Sequence, residues 1–240
     1  MSELDNPVWG ALTGPQRNMG TSTRLAARFD PAVSPFGAMA DVPTDAHWAD
    51  LADVAGPGGQ LALVVPEGTD PTPGTGWSPL WQAAGVQMVG DRIVPRRADP
   101  AAEATVPLGV DDVGDMLALA EAARPGPFLP RTVEFGGYVG IRRGGRLVAM
   151  AGERMRPPGY SEISAVATDP DHRRQGLAEL LVRVVVSGID GRGEIPFLHA
   201  AATNTNAIRL YQSIGFVTRS TVTFVLLQAP GVRDGADGAD

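Results

Sequence analysis

The residues best suited to bind a charged ligand lie where a predicted strand gives way to a predicted helix. The apolar run Val166-Ala167-Thr168 ends there, and Arg173-Arg174-Gln175-Gly176-Leu177-Ala178 leads into an apolar-striped helix. A helix start offers unpaired N–H groups and the positive end of the helix dipole, which suit a phosphate or pyrophosphate. Gly176 lets the backbone approach such an anion closely, and Arg173 and Arg174 add charge at its rim. The sequence therefore predicts an anion-binding turn.

A second polar motif opens the last predicted helix. It reads Asn204-Thr205-Asn206-Ala207-Ile208-Arg209-Leu210-Tyr211 and is followed by Gly215-Phe216. With Arg173–Ala178, it resembles the GNAT (N-acetyltransferase) superfamily, whose first motif is Gln or Arg, two residues, Gly, one residue, Gly or Ala. The family's final helix reads Asn, two residues, Ala, two residues, Leu-Tyr, three residues, Gly-Phe. The resemblance covers about residues 103 to 228.

The resemblance implies an acyltransferase that uses acetyl-CoA as co-substrate and an amine of unidentified kind as acceptor. In the family, N–H groups of the first motif hold the CoA pyrophosphate, and the pantetheine arm lies along the third central strand. The family's tyrosine matches Tyr211, which would protonate the departing CoA thiolate. Ala178 stands where the family more often has Gly, which the pattern accepts. The cofactor-binding residues carried over are Val166, Thr168, Arg173, Arg174, Gly176, Leu177, Ala178 and Asn204.

A general base is also expected, because a protonated amine has no lone pair with which to attack a thioester. Glu162 is the candidate, since period-two alternation along its strand would place it on one face with Ser164, Val166 and Thr168. Its distance before Gly176 also resembles that of the catalytic glutamate in the histone-acetylating branch of the superfamily.

Each of these residues also has a structural interpretation. The two arginines could form a solvated turn, Tyr211 could be a core tyrosine, and Asn204 could be a helix N-cap, which is compatible with cofactor contact. Glu162 could face solvent or pair with an arginine. The corresponding alternative for the whole chain is a non-catalytic module that binds acyl-CoA as a structural or regulatory ligand.

The elements that must position these residues follow a regular order after residue 103. A strand and a helix come first, then a hairpin around Arg143-Gly144-Gly145, a third strand at Glu162–Thr168, two amphipathic helices separated by Pro196–Ala200, and a closing hairpin at Phe216–Leu227. The pattern predicts an α/β fold of GNAT type, in which a mixed, mostly antiparallel sheet carries flanking helices.

The first hundred residues are less strongly patterned. A helix is predicted over Asp45–Val54 and apolar strands near Leu61–Val65 and Val86–Val89, with a loop between them. We expect residues 1–100 to form a smaller α/β domain without a cofactor motif, interpreted as a degenerate copy of the same fold, and residues 103–228 to form the acetyltransferase domain. Residues 229–240 have almost nothing to bury and are predicted to be disordered.

Composition excludes several other functions. The absence of cysteine removes disulfides, thiolate metal sites and a cysteine nucleophile. A formal charge of -7 disfavours nucleic acid as a partner. No run approaches the roughly 20 apolar residues of a membrane span, and the start lacks a basic and then apolar leader, so a cytoplasmic monomer or homodimer is expected. His47, His172 and His199 show no metal-ligand spacing, and no metal is predicted.

Overall fold

A computed structural model describes residues 2–70, 72–93 and 104–231, and its centre is a mixed sheet of eight strands. In that sheet the order is β4-β11-β5-β10-β9-β8-β7-β6, and every pairing except the parallel pairing of β9 with β10 is antiparallel. The arrangement confirms the predicted α/β fold with a mixed, mostly antiparallel sheet. The strands are β4 (Gln60–Pro66), β5 (Ser78–Val89), β6 (Val106–Pro107), β7 (Val139–Arg143), β8 (Arg146–Glu153), β9 (Tyr160–Thr168), β10 (Ile195–Ala201) and β11 (Val217–Gln228).

Helices cover both faces of this sheet. The helices are α1 (Pro7–Thr13), α2 (Asp45–Ala55), α3 (Val113–Ala123), α4 (Leu177–Asp190) and α5 (Thr205–Ile214). The stripe predicted on α4 is confirmed, because Leu181 and Val185 are buried in one core with Ile163, Leu198 and Tyr211 of α5. On the other face α1 and α3 enclose a second core with the sheet, and α2 covers a third against β4 and β11.

The N-terminal part also forms a small antiparallel sheet, β1 (Gly20–Ser22), β2 (Ala26–Phe29) and β3 (Gly37–Met39), which the sequence patterns did not predict. Its strands have three or four residues, which is too short for an alternation of apolar and polar residues to stand out. All four residues of β2 are buried. This small sheet and α1 lie over the face of the large sheet that α4 and α5 leave uncovered.

The large sheet spans both sides of the predicted domain boundary. The boundary itself, between Arg96 and Glu103, lies outside the described residues. Strands β4 and β5 come from before it, yet β5 lies between β10 and β11. Residues 103–228 therefore do not contain a complete sheet of their own. The interpretation of residues 1–100 as a degenerate copy of the same fold stays a prediction.

The predicted closing hairpin is wrong, and β11 is one continuous strand from Val217 to Gln228. The run Thr218-Arg219-Ser220-Thr221 contains no Gly, Asn or Pro to make a tight turn, and it forms an irregularity in the pairing with β5 instead. The predicted disordered tail begins too early as well. Ala229 is buried and donates to the Gly59 carbonyl at 2.8 Å, while residues 232–240 lie outside the described residues.

Candidate active site

The central feature of the site is a fork between β9 and β10. The two strands pair through three residues each, and the last pair is Glu162 with Phe197. Beyond it the strands separate, and Ser164, Val166 and Thr168 on β9 are half-buried. A separated pair of strands leaves backbone N–H and C=O groups without ladder partners, so an extended ligand can pair there. The predicted cofactor residues Val166 and Thr168 line this fork.

A bulge in β9 changes which side chains share a face. Ala165 has a φ of 52°, and the register with β8 shifts between Met150 and Gly152. A bulge inserts one residue and reverses the alternation beyond it. Val166 therefore packs on the α4 side of the sheet, while the partners of Glu162 lie on the other side. The prediction that Glu162 shares a face with Val166 and Thr168 is wrong for this reason.

The anion-binding turn has the geometry that its sequence predicts. Arg174 and Gly176 both have positive φ, at 61° and 77°, and α4 begins directly after them at Leu177. No side chain caps this helix start. A Cβ added to Gly176 would meet no atom within 4 Å, so there is open space beside the first N–H groups. Uncapped N–H groups at the positive end of a 14-residue helix suit a phosphate group.

Side chains around the turn hold its shape. Asp169 Oδ1 accepts from the backbone N–H of Asp171 at 3.0 Å and lies 3.0 Å from His172 Nδ1, and its other oxygen pairs with Arg146. These bonds lower the pKa of Asp169, with His172 the largest cause. Arg173 and Arg174 are exposed, whereas Leu177 is buried in the core and Ala178 is half-buried. A ligand at the turn can therefore contact the backbone groups of Leu177 and Ala178 but not the Leu177 side chain.

Asn204 lies at the start of α5, and Tyr211 lies on its buried face. The Tyr211 ring packs edge-on against Phe216, with centroids 6.0 Å apart, in the same core as Leu177. Burial raises the pKa of Tyr211 to about 12, which keeps its hydroxyl protonated. Asn204 is the N-cap of α5, and its Oδ1 accepts from Ala207 N at 3.3 Å. The capping interpretation of Asn204 is confirmed, and its cofactor contact stays a prediction.

Glu162 is fully buried in an ion pair. Its carboxylate accepts from Arg154 Nε at 2.8 Å and Nη2 at 2.7 Å, and its Oε1 lies 2.7 Å from His199 Nδ1. Burial alone would raise the pKa of Glu162, but Arg154 and then His199 lower it to about 2. The backbone N–H of Met155 also donates to this carboxylate, at 3.4 Å. A carboxylate with these partners and so low a pKa binds a further proton weakly. The geometry does not favour Glu162 as the direct base, and the arginine-pair interpretation is confirmed.

Residues of the N-terminal part hold this ion pair from behind. The Arg154 guanidinium lies 4.7 Å from the centre of the Phe36 ring, and Gln16 Nε2 donates to the Arg154 carbonyl at 2.7 Å. Gln87 on β5 lies beside His199, with their Nε2 atoms 3.1 Å apart. The contacts explain why Arg154 and Gln87 could not be found from the motifs. Arg154 and Gln87 lie far apart in the sequence, and nothing in the order of the elements indicates that both lie beside this ion pair.

Comparison with known proteins agrees with the overall fold. The family model described as FR47-like protein matches residues 138–225. A crystal structure assigned to the GNAT family of acetyltransferases, from Novosphingobium aromaticivorans DSM 12444, is 43% identical. The match covers 95% of this chain and 98% of that one, with a TM-score of 0.84. The chain belongs to the GNAT family. A GCN5-related N-acetyltransferase from Kribbella flavida shares the fold at 20% identity and a TM-score of 0.59, covering 93% of this chain and 94% of that one.

Curated relatives within the GNAT family match a shorter part of the chain. The N-alpha-acetyltransferase RimI of Mycobacterium tuberculosis is 35% identical over 82 residues, which are 33% of this chain and 51% of that protein. The [ribosomal protein bS18]-alanine N-acetyltransferase of Escherichia coli K12 is 40% identical over 52 residues, which are 21% of this chain and 35% of that protein. The chain thus spans about half the length, or less, of these two relatives.

Among the described residues there is neither a membrane-spanning helix nor a metal-ligand cluster. Across residues 2–70, 72–93 and 104–231, no helix has both the length and the apolar character that a bilayer crossing requires. Within the same residues, His, Asp and Glu side chains form no group of three that could hold a metal ion.

Proposed function

We propose that this chain is an N-acetyltransferase that moves an acetyl group from acetyl-CoA to a primary amine at the fork between β9 and β10. The observation that carries the proposal is the uncapped start of α4 beside open space at Gly176. This helix start follows β9 along the chain, and β9 lines the fork. The turn would hold the CoA pyrophosphate through backbone N–H groups of Arg173 to Ala178. Val166 and Thr168 would pair with the pantetheine arm, and Asn204 would contact it from α5.

The reaction conserves atoms and charge in a single transfer. The amine lone pair forms an N–C bond to the thioester carbonyl, and the C–S bond breaks so that its electron pair leaves with sulfur. The amine gives up a proton to a base, and the Tyr211 hydroxyl gives one to the CoA thiolate. Because burial raises the pKa of Tyr211 to about 12, its hydroxyl carries a proton at neutral pH when the thiolate forms.

The acceptor can be sought first among peptides with a free N-terminus. Two curated relatives are named for acetylation of an α-amine, and one of them for an alanine of ribosomal protein bS18. For this chain, an N-terminal alanine peptide is therefore the first probe, beside lysine peptides and small amines.

Thiol release from acetyl-CoA tests the proposal. We expect release that depends on the amine and that saturates with acetyl-CoA in the wild type. Tyr211→Phe should lower kcat about 10²- to 10⁴-fold, because it removes the hydroxyl and little else, with acetyl-CoA affinity nearly unchanged. Tyr160→Phe is the matched control, since Tyr160 packs at the opposite end of β9 from Thr168. Equal loss in both variants would contradict the assignment of Tyr211.

One observation favours a second function, a non-catalytic module that binds acyl-CoA. Two titratable side chains on the fork strands, Glu162 and His199, are 0% and 1% exposed. If the acceptor cannot reach either, CoA could bind without transfer. Calorimetry showing tight acetyl-CoA binding, together with no amine-dependent thiol release across the panel, would select this second function.

A further inference from the structure

The Gln87 side chain is held at both ends by groups that can play only one hydrogen-bonding role. The Arg219 guanidinium can only donate, and its Nη1 donates to Gln87 Oε1 at 2.9 Å. The Leu4 carbonyl can only accept, and it accepts from Gln87 Nε2 at 2.9 Å. Gln87 must therefore present its amide nitrogen to His199, at the 3.1 Å distance between their Nε2 atoms.

This contact fixes the protonation of His199. It is a hydrogen bond only if His199 Nε2 carries no proton and accepts from the Gln87 amide. On the other side of the ring, Nδ1 lies 2.7 Å from Glu162 Oε1, which is held as a carboxylate by Arg154. Nδ1 therefore carries the ring proton and donates it to Glu162. In this arrangement the lone pair of the ring lies on Nε2.

We propose that His199 Nε2 accepts the proton of the acceptor amine, and that Gln87 is a positioning residue that keeps Nε2 unprotonated. The inference rests on the proposed acetyl transfer. His199 lies two residues beyond the last pair of β10 with β9. The residue as a whole is half-buried, while its side chain is only 1% exposed. The exposed part is therefore its main chain, which lines the open fork. Gln87 lines a cavity together with Leu4, Arg219 and Val222, and an amine entering that cavity would reach Nε2 by displacing the Gln87 amide.

Glu162 then has a role that suits its environment. As Nε2 takes up the proton, the ring becomes an imidazolium, and the Glu162 carboxylate behind Nδ1 stabilises that charge, as a carboxylate does behind a histidine base. The Phe197 and Phe224 rings meet the imidazole edge-on and keep water away from it. The charged or titratable groups around the ring, directly or through one or two neighbours, are Glu162, Arg154, Tyr138, Arg219 and Asp5.

Nitrogen NMR of protein labelled on histidine reads the ring state without any acceptor. The chain has three histidines, so spectra of His47→Gln and His172→Gln assign the third. We expect His199 at neutral pH to be neutral with its proton on Nδ1. Gln87→Glu keeps the shape but replaces the donor by an acceptor, so it should place a proton on Nε2 as well. A proton on Nε2 of the wild-type protein at neutral pH would overturn the proposal.

The pH dependence of kcat supplies the second test. A histidine base makes kcat fall on the acid side of the neutral range, whereas a carboxylate of pKa about 2 would move that fall below about pH 4. The acceptor should be the most weakly basic amine that the panel shows to be active, so that its own titration lies outside this range. We expect His199→Gln to lose about 10²- to 10⁴-fold in kcat and to lose the fall, with KM for acetyl-CoA little changed.

Two variants guard against loss of folding as the explanation. Gln87→Glu loses the bond to the Leu4 carbonyl but keeps an acceptor for Arg219. It should shift the acid-side fall to higher pH, because it favours the protonated ring; a purely structural Gln87 would not move it. His47→Gln, at a half-buried residue whose ring bonds to Thr44 at the start of α2, should leave kcat and its profile unchanged. Wild-type kcat and profile in His199→Gln would overturn the base assignment. If no amine supports thiol release, the proposed function fails and the base role with it, while NMR still decides the hydrogen-bond arrangement.

Discussion

Arg154→Met tests the buried ion pair most severely, because it leaves the Glu162 carboxylate without its main partner. Arg154 approaches Glu162 with two nitrogens, and the side chains are 10% and 0% exposed. Methionine keeps much of the aliphatic stem of Arg154 and removes the charge that lies over the Phe36 ring. The loss can therefore be assigned to the unpaired carboxylate rather than to a large cavity.

The expected magnitude follows from the pKa of Glu162. A fall from 4.5 to about 2 corresponds to about 3 kcal/mol of stabilisation of the ionised group in the folded state. Removing one partner of a buried pair typically costs about 3–5 kcal/mol, because the other charge stays buried. We expect the free energy of unfolding of Arg154→Met to be lower than that of wild type by about this amount at pH 7.

The pH dependence has opposite signs in the two proteins. In wild type the contribution of Glu162 is fully present above its unfolded pKa of 4.5 and is lost as pH falls toward about 2. In Arg154→Met, burial without the arginine raises the pKa of Glu162 instead, so protonation relieves the cost. The difference in unfolding free energy between the two proteins should therefore shrink as pH falls from 7.

Urea unfolding followed by fluorescence of the buried Trp48 and Trp77 measures this difference at a series of pH values. The matched control is Arg183→Met, which breaks a pair with Glu179 on the surface of α4. It should cost less than about 1 kcal/mol at any pH. If Arg154→Met stays within about 1 kcal/mol of wild type across the range, the buried pair does not stabilise the fold as described.

Gly176→Glu should strongly weaken acetyl-CoA binding measured by calorimetry, because it strains a positive φ and adds negative charge at the helix start. Gly188→Glu, at the far end of α4, should leave the affinity unchanged. Equal affinities of the two variants would contradict the turn assignment. In Tyr138→Phe the free energy of unfolding measured in urea should be equal to that of wild type or higher by up to about 3 kcal/mol. The reason is that the buried Tyr138 hydroxyl has no hydrogen-bond partner among the described residues. A clear loss of stability would show that the hydroxyl has a partner. A fragment of residues 103–228 should fail to fold by circular dichroism, because it lacks β5 between β10 and β11; a folded fragment would support the predicted domain division.

The strongly periodic elements were predictable from sequence because their periodicity reflects burial on one face. The stripe on α4, the tight hairpin at Gly144-Gly145 and the Gly215 end of α5 all lie as predicted. Local chemistry decides these features, since an apolar helix face and a glycine at positive φ impose the same geometry in most folds. The backbone geometry of the anion-binding turn also follows from its local sequence, so it could be predicted without the rest of the fold.

Features that depend on distant pairing were not predictable in this way. No pattern in β5 indicates that it lies between β10 and β11, because strand order follows from the whole sheet. The bulge at Ala165 is also hidden, since an alanine rarely adopts positive φ and gives no signal of it. One clue to the buried network was present. His199 interrupts the apolar run Phe197–Ala200, and a polar residue inside a core strand must find partners.

The time course of free thiol release from acetyl-CoA, with an N-terminal alanine peptide, lysine peptides and small amines as acceptors, tests the central claim most directly. Wild-type protein should release thiol in proportion to an acetylated amine found by mass spectrometry, and Gly176→Glu should abolish both signals at the same acetyl-CoA concentration. Binding of acetyl-CoA by the wild type without amine-dependent release from any acceptor would contradict acetyl transfer at the fork between β9 and β10.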